Sequence, residues 1–307
     1  MKLAGVLNLR KEAGPTSHDV VAAVRRLLPR RTKVGHAGTL DPMAEGVLPV
    51  CLGAATKLFP YLLECRKTYR AVMRFGRVTD TQDATGQTLS ETDPGEISLA
   101  RAQGLLDAFA GRGAQRPPMY SALKVGGTRL HELARAGVEV ERGSRPIEIF
   151  HIQALEAAGP RLTFEVTCSR GTYIRSLCHD VGALHGAGGC LEALTRTALG
   201  PFRLGESISL EAAGGLAQEG RLEEALVRPA EALAHMPALG VRPEAEERLL
   251  HGASLGARDL VGEEPAGAGK VRLLSAAGEL LAVGRLIPPE GRRAGQGWVA
   301  PERVFAA

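Results

Sequence analysis

The clearest pattern in the chain is a two-residue alternation of apolar and polar positions. Across residues 67–76 the odd-numbered positions hold Tyr69, alanine, methionine and phenylalanine, while the even-numbered positions are mostly polar. This alternation predicts a half-buried antiparallel strand with Tyr69 on its inward face. Residues 3–9 and 162–168 predict two further strands.

Two segments show the spacing of an amphipathic helix instead. The first follows Thr16, which forms a capping-box pattern with Asp19, and it ends before Pro29. The second has Thr172 as its expected N-cap and keeps apolar side chains on one face as far as Leu184.

The strands and helices do not follow a regular βαβ order. We therefore predict an α+β domain over residues 1–232, with a mixed, largely antiparallel sheet and flanking helices. From about residue 236 a short helix precedes several short strands, two of which, at 271–275 and 279–283, are expected to pair. These elements predict a small β-barrel over residues 236–307.

Charge is distributed unevenly along the chain. Residues 1–150 carry 22 Lys+Arg and 15 Asp+Glu, net +7, which leaves 16 and 19, net −3, for residues 151–307. A basic first half suits an anionic partner such as RNA. On charge alone, the alternative of an ordinary solvated basic surface stays open.

The cysteine pattern and the apolar runs bear on the compartment. The five cysteines form no C-x-x-C pair, and an odd number does not complete a disulfide framework. The longest apolar runs, such as residues 47–55, are about half of what a membrane-spanning helix needs. Since the N-terminus also lacks a signal-peptide pattern, we expect a cytoplasmic protein with reduced thiols and no membrane segment.

The densest group of reactive side chains lies in residues 35–48. Residues 33–47 hold three glycines and Pro42, which predicts a loop presenting His36 and Asp41 ahead of a buried apolar run. The glycines do not have the spacing of a phosphate-binding loop. Because Asp-Pro commonly starts a turn or helix, spacing alone favours a structural role for Asp41.

This segment resembles the signature of the TruB family, the bacterial tRNA pseudouridine synthases that act on uridine 55 of the T-loop. The signature G-H-x-G-T-L-D-P followed by G-V-L-P-V is complete at residues 35–50. Other family motifs occur in the same order at residues 14–17, 67–70, 79–86, 117–124 and 171–175. The similarity covers about residues 3–232, with Thr195 as a departure where relatives usually have arginine. The tail is similar to a PUA module, a small RNA-binding barrel.

The resemblance implies a pseudouridine synthase fold and a role for each matched residue. Asp41 is implied to be the nucleophile, or the base that removes a sugar proton, and Arg175 its partner. Tyr69 is implied to stack on the target uracil and is a candidate for proton transfer at C5. The remaining contacts to the everted base are implied for Tyr173, Leu194 and His36. Judged from the residues alone, Arg175 fits a solvated arginine, Tyr69 a core tyrosine and His36 a turn histidine.

The resemblance also implies how RNA is held. Residues 124–150 match a segment that closes over the RNA hairpin, and they include Lys124, Arg129, Arg142 and Arg145, which suit phosphate contacts. The expected partner is the T-arm stem-loop of tRNA, bound by a monomer. The family needs neither a cofactor nor a metal.

Two other functions remain as alternatives. One is a non-catalytic RNA-binding or tRNA-folding protein on the same scaffold, which would not need the Asp41 carboxylate. The other is a metal-dependent hydrolase that uses His36, Asp41, His179, Asp180 and His185. The last two histidines are six residues apart on a predicted helix and would face different sides, which is poor spacing for shared ligands.

Overall fold

The computed structural model describes residues 3–121, 123–263, 269–287 and 298–305. The helices are α1 (Ser17–Arg26), α2 (Phe59–Glu64), α3 (Leu99–Asp107), α4 (Leu130–Arg135), α5 (Ile174–His185), α6 (Leu210–Gln218), α7 (Pro229–Ala232) and α8 (Pro243–Leu250). Short 3-10 turns occupy Gly53–Leu58, Leu204–Glu206, Leu222–Ala225 and Ala257–Asp259.

The strands fall into one large sheet and several smaller ones. They are β1 (Gly5–Lys11), β2 (Val34–His36), β3 (Glu45–Leu52), β4 (Lys67–Phe75), β5 (Arg77–Thr79), β6 (Thr88–Glu91), β7 (Gly111–Gln115), β8 (Lys124–Val125), β9 (Thr128–Arg129), β10 (Arg145–Ala158), β11 (Arg161–Cys168), β12 (Gly189–Leu199), β13 (Phe202–Arg203), β14 (Ile208–Ser209), β15 (Leu226–Val227), β16 (Ala238–Val241), β17 (Leu260–Val261), β18 (Lys270–Leu274), β19 (Leu280–Leu286) and β20 (Val299–Val304).

The large sheet forms the frame of the molecule. Its strand order is β14-β1-β3-β12-β4-β11-β10-β7, with β2, β13 and β15 paired beside this path. Most neighbours are antiparallel, whereas β1 with β14 and β3 with β12 are parallel. Side chains of α1, α3 and α5 pack with one face of the sheet in a single apolar core. The predicted α+β class with a mixed, largely antiparallel sheet is confirmed.

Strand β4 lies near the centre of this sheet, between β12 and β11. The predicted alternation is confirmed, because Tyr69, Ala71, Met73 and Phe75 are all buried. Strand β11 likewise confirms the strand expected at 162–168. The central position of β4 places Tyr69 between Val166 of β11 and Arg196 of β12.

The helix starts were predicted with mixed success. The capping box of α1 is confirmed, since the Thr16 amide donates to the Asp19 carboxylate at 2.9 Å and the Asp19 amide to the Thr16 hydroxyl at 3.1 Å. The N-cap of α5 is Tyr173, so the expectation of Thr172 was wrong. The Gln115 side-chain oxygen accepts the amide proton of Tyr173 itself at 2.8 Å, and the Tyr173 side chain makes no capping bond to the first turn. Leu184, placed on the buried face of this helix, is 52% exposed.

The loop predicted for residues 33–47 is shorter than expected. Residues 34–36 form β2, which pairs with β3, and β3 already begins at Glu45. Gly35 permits close packing rather than a turn, because a Cβ atom there would lie 2.5 Å from the Phe59 ring. Residues 37–44 remain as the loop between the two strands, and this segment is called the Asp41 loop below.

The C-terminal part forms a separate sheet with the order β17-β16-β18-β19-β20. The expected pairing is confirmed as β18 with β19. Leu280 and Val283 of β19 share an apolar cluster with Leu58, Tyr61 and Leu62 from the first part of the chain. The strands of the two sheets divide between 227 and 238, and the boundary expected at 232–236 lies in this interval. Among the described residues, no helix has the length and apolar character to span a membrane.

Candidate active site

Asp41 faces Arg175 across the gap between its loop and the first turn of α5. Arg175 Nε lies 2.9 Å from Oδ2, and Nη2 donates to Oδ1 at 3.3 Å. The arginine side chain is only 5% exposed, whereas the aspartate side chain is 36% exposed. The carboxylate of Asp41 is therefore accessible to solvent, whereas the guanidinium that pairs with it is buried.

The guanidinium of Arg175 is fixed by contacts on its other side. Nη1 donates to the Thr81 carbonyl at 3.1 Å, and Nη2 donates to the Tyr120 carbonyl at 2.8 Å. Asp83 supplies a second carboxylate, with Oδ2 3.6 Å from Nη1. Asp83 is itself held, because its Oδ1 accepts from the Thr81 hydroxyl and the Thr85 amide. Two anions thus offset the cost of a positive charge at a helix N-terminus.

The Asp41 loop is held to the body of the protein by two further polar side chains. The Ser17 hydroxyl donates to the Leu40 carbonyl at 3.0 Å and accepts from the Leu40 amide at 2.9 Å. The ammonium of Lys11, which is 1% exposed, donates to the carbonyls of Pro42 at 3.1 Å and Ala44 at 2.6 Å. The backbone on both sides of Asp41 is therefore fixed without engaging its carboxylate.

The charge of Asp41 acts on Tyr69 and Tyr173, and Leu194 is a buried residue of β12 opposite Ala71 of β4. Tyr69 and Leu194 are 7% and 6% exposed. Gln115 holds the Tyr173 backbone by bonds to both its amide and its carbonyl, at 2.8 and 3.0 Å. Burial raises the pKa of both tyrosines, and the charge of Asp41 contributes to the pKa of each. Both phenols are therefore protonated at neutral pH.

His36 ends β2, next to the Asp41 loop. Burial, followed by the positive charge of Arg196, lowers the pKa of its imidazole, so the ring is neutral at physiological pH. Its Nδ1 atom is buried and has no hydrogen-bond partner among the described residues. A neutral, partly buried ring suits stacking better than ion pairing.

The proposed phosphate-binding residues differ in their surroundings. Arg142 is 12% exposed in its side chain, donates to the Pro117 carbonyl at 3.2 Å and pairs with Glu139 at 3.3 Å. Arg145, at the start of β10, is exposed. The side chains of Lys124 and Arg129 lie outside what the structure describes.

The residues of the alternative hydrolase site give no support to metal binding. Among the described residues, no three His, Cys, Asp or Glu side chains are grouped so that they could hold a metal ion. His185 Nε2 lies 3.0 Å from the Pro94 carbonyl, and its ring packs edge-on against Phe75.

Sequence reasoning missed several residues that organise the site. Asp83 lies in a matched motif for which no role is implied, and no role is implied for Lys11, Gln115 or Arg196 either. A local signal exists at Lys11, which is a charged side chain after the apolar run of β1. Their partners are distant in the chain, so their roles appear only in the folded protein.

The chain is similar to known proteins over most of its length. The sequence model described as "TruB family pseudouridylate synthase (N terminal domain)" matches residues 25–174. The chain is 42% identical over 309 residues to tRNA pseudouridine synthase B of Heliobacterium modesticaldum, covering 99% of this chain and 96% of that protein. It is 48% identical over 248 residues to the protein of the same name from Syntrophotalea carbinolica, covering 81% and 80%.

Solved structures match nearly the whole chain. A chain of a Cbf5-Nop10-Gar1 complex superposes with a TM-score of 0.76 and 29% identity, covering 98% of this chain and 85% of that one. A chain of an H/ACA ribonucleoprotein bound to a substrate RNA containing 2'-deoxyuridine gives a TM-score of 0.75 and 27% identity, covering 99% and 85%. The match extends through the C-terminal sheet, which is compatible with a PUA-like module.

Proposed function

We infer that this chain, which belongs to the TruB family of pseudouridylate synthases, is a tRNA pseudouridine synthase that isomerises uridine 55 of the T-loop. The relatives that match over most of its length are tRNA pseudouridine synthases, and such enzymes are isomerases. The observation that carries the proposal is the ion pair in which buried Arg175 presents the half-exposed carboxylate of Asp41. A protein that only bound RNA would not need this arrangement.

The proposed reaction rearranges one nucleoside without any external group donor. The bond between C1′ and N1 of uracil breaks, the detached ring turns in place, and a bond forms between C1′ and C5. The proton on C5 leaves, and N1 gains one, so the mass of the RNA is unchanged. Asp41 either attacks the sugar and later leaves, or removes a sugar proton, and both routes require an ionised carboxylate. Arg175 stabilises and orients that charge.

The surrounding side chains suit a flat, everted base. Tyr69, Tyr173 and Leu194 are the buried or half-buried groups against which the uracil would stack. The hydroxyl of Tyr69 is the candidate for moving the C5 proton. His36 would stack in place of the flipped base and offset part of the few kcal/mol that unstacking costs.

The RNA would be bound mainly through its phosphates. The positive charge of residues 1–150 and the exposed side chain of Arg145 support this. We propose that the T-arm stem-loop is the recognised element, that the C-terminal sheet assists in holding it, and that the enzyme acts as a monomer in the cytoplasm.

The test is a modification assay with purified protein, a T-arm hairpin and no added cofactor. We expect the uridine at the position of residue 55 to be converted without a change of mass, and chemical tagging of pseudouridine to locate it. A hairpin with cytidine at that position is the control and should remain untagged. Tight hairpin binding without any tagged product would favour the non-catalytic RNA-binding alternative.

A further inference from the structure

Arg196 is a fully buried arginine on β12 that none of the roles above uses. Its guanidinium donates to three backbone carbonyls: Nε to Val47 at 2.7 Å, Nη2 to Gly38 at 2.9 Å and Nη1 to Thr39 at 3.4 Å. Within the described part of the chain, no carboxylate forms an ion pair with it.

Fold stability does not explain such a residue. Removing a cation from water costs several kcal/mol even after relaxation, and burial here lowers the pKa of the guanidinium. Replacing buried charges by apolar side chains of similar volume is often neutral or stabilising. The role of an arginine that is buried without a counter-ion therefore lies in the groups that its side chain holds in place.

The three carbonyls lie on the two sides of Asp41, at the start of the Asp41 loop and in β3 just after it. Gly38 and Thr39 precede Asp41, and Val47 follows it in β3. Strand β3 also approaches Arg196 closely, because Gly46 has a φ of +103° and a Cβ atom there would lie 2.3 Å from the Arg196 carbonyl oxygen. One guanidinium thus connects the backbone on the two sides of Asp41.

The guanidinium of Arg196 also lies beside Tyr69, which is proposed to stack on the uracil. Arg196 is paired with Tyr69 across the β12–β4 ladder, and the two side chains interact. The charged or titratable groups that act on the Tyr69 phenol are Arg196, Cys168 and Asp41. Arg175 binds the Asp41 carboxylate itself, whereas Arg196 binds the backbone on both sides of Asp41 and also interacts with Tyr69.

We propose that Arg196 is a positioning residue that sets the distance between the Asp41 carboxylate and the Tyr69 hydroxyl by bracing the Asp41 loop against β4. The proposal rests on the proposed function, since both groups are there assigned to the same uracil. A fork of several N–H donors can bridge the backbone on both sides of Asp41, which a single ammonium cannot do.

The test replaces Arg196 by methionine, which keeps an unbranched side chain and removes every donor. Displacing a reacting group by about 1 Å costs on the order of 10²-fold in rate. We expect Arg196→Met to lower the single-turnover rate by about this factor, to leave hairpin affinity within threefold, and to increase amide hydrogen exchange in residues 37–44. The control is Arg203→Met, since the exposed Arg203 also donates to backbone carbonyls, those of Gly200 and Phe202.

The outcomes separate this proposal from the proposed function. A wild-type rate and wild-type exchange in Arg196→Met would overturn the bracing role. If that variant does not fold, Arg196→Lys is measured instead, and a wild-type rate with one ammonium would overturn it equally. If the wild-type protein modifies no RNA, the proposed function fails, while exchange in residues 37–44 still decides whether Arg196 holds the loop.

Discussion

Asp83 lies behind Arg175, with Oδ2 3.6 Å from Nη1, on the side of the guanidinium away from the solvent-facing carboxylate of Asp41. Asp83 is 5% exposed, and the Thr81 hydroxyl and the Thr85 amide hold it in place. The carboxylate of Asp41 is thus oriented by an arginine that a second, buried carboxylate orients in turn.

Asp83→Asn tests this arrangement, because it retains an oxygen acceptor but removes the negative charge. We expect a roughly tenfold lower single-turnover rate, about 1.4 kcal/mol, with unchanged hairpin affinity. The matched control is Asp93→Asn, an exposed aspartate whose carboxylate accepts from the Gly95 amide at 2.9 Å. Equal rates for the two variants would show that Asp83 does not support Arg175.

Lys67, a buried lysine at the start of β4, should make the stability of the protein depend on pH. Burial lowers the pKa of Lys67 to about 8, and the other groups acting on it are Arg196, Arg170, Cys65 and Cys168. Between that value and the ordinary pKa near 10.5, the unfolded chain binds the proton and the folded chain does not. The free energy of unfolding contributed by Lys67 therefore rises with pH in this window.

The comparison uses Lys67→Met, which removes this titration. From pH 7.5 to 9.5, the difference in free energy of unfolding between wild type and variant should shift by about 2 kcal/mol in favour of wild type. Urea unfolding of both proteins at the two pH values measures the shift. A difference that does not change with pH would mean that Lys67 titrates normally.

The two arginines expected to bind phosphate should behave differently. Arg145 is exposed, whereas Arg142 is held by the Pro117 carbonyl and Glu139. Arg145→Ala should weaken hairpin binding across RNA sequences and reduce the salt slope by about one. Arg142→Ala should mainly lower the melting temperature. Hairpin titrations between about 50 and 200 mM salt measure both slopes. An equal loss of slope in Arg142→Ala would mean that its contacts open when RNA binds.

Removal of the C-terminal sheet should affect stability as well as RNA binding. Leu280 and Val283 would no longer cover Tyr61 and Leu62, and each buried aliphatic side chain contributes about 1.5–3 kcal/mol. We expect a chain ending at Met236 to melt on the order of 10 °C lower and to bind the hairpin more weakly. Below its melting temperature it should still modify a saturating hairpin. A folded, RNA-bound fragment without turnover would reveal a catalytic group in the tail.

Patterns within a few residues predicted the strands and helices that depend on short-range interactions. Strand β4 was predicted because its alternation matches a sheet with one buried face, and α1 because Thr16 and Asp19 cap it within three residues. Thr172 was wrongly assigned as the N-cap, because the N-cap is Tyr173, whose amide donates to the side chain of Gln115, 58 residues earlier in the chain. A contact between residues so far apart cannot be recognised from any short stretch of sequence.

The same limit applies to the candidate site. Asp41 and Arg175 were identified through family motifs, although they are 134 residues apart. Arg196 was missed because the carbonyl it holds at Gly38 is 158 residues away and has no side-chain signature. Residues that act on substrate leave recognisable motifs, whereas residues that brace the backbone around them become visible only through distances in the folded chain.

Asp41 should carry the chemistry and contribute little to RNA affinity, and a single substitution separates these two roles. Asp41→Asn keeps the size of the side chain and its suitability for a turn, but it loses the charge that Arg175 orients. Pseudouridine yield in a T-arm hairpin should fall to background, with the melting temperature unchanged and affinity within about tenfold, or 1.4 kcal/mol. Substantial yield from a well-folded Asp41→Asn protein would contradict the catalytic assignment.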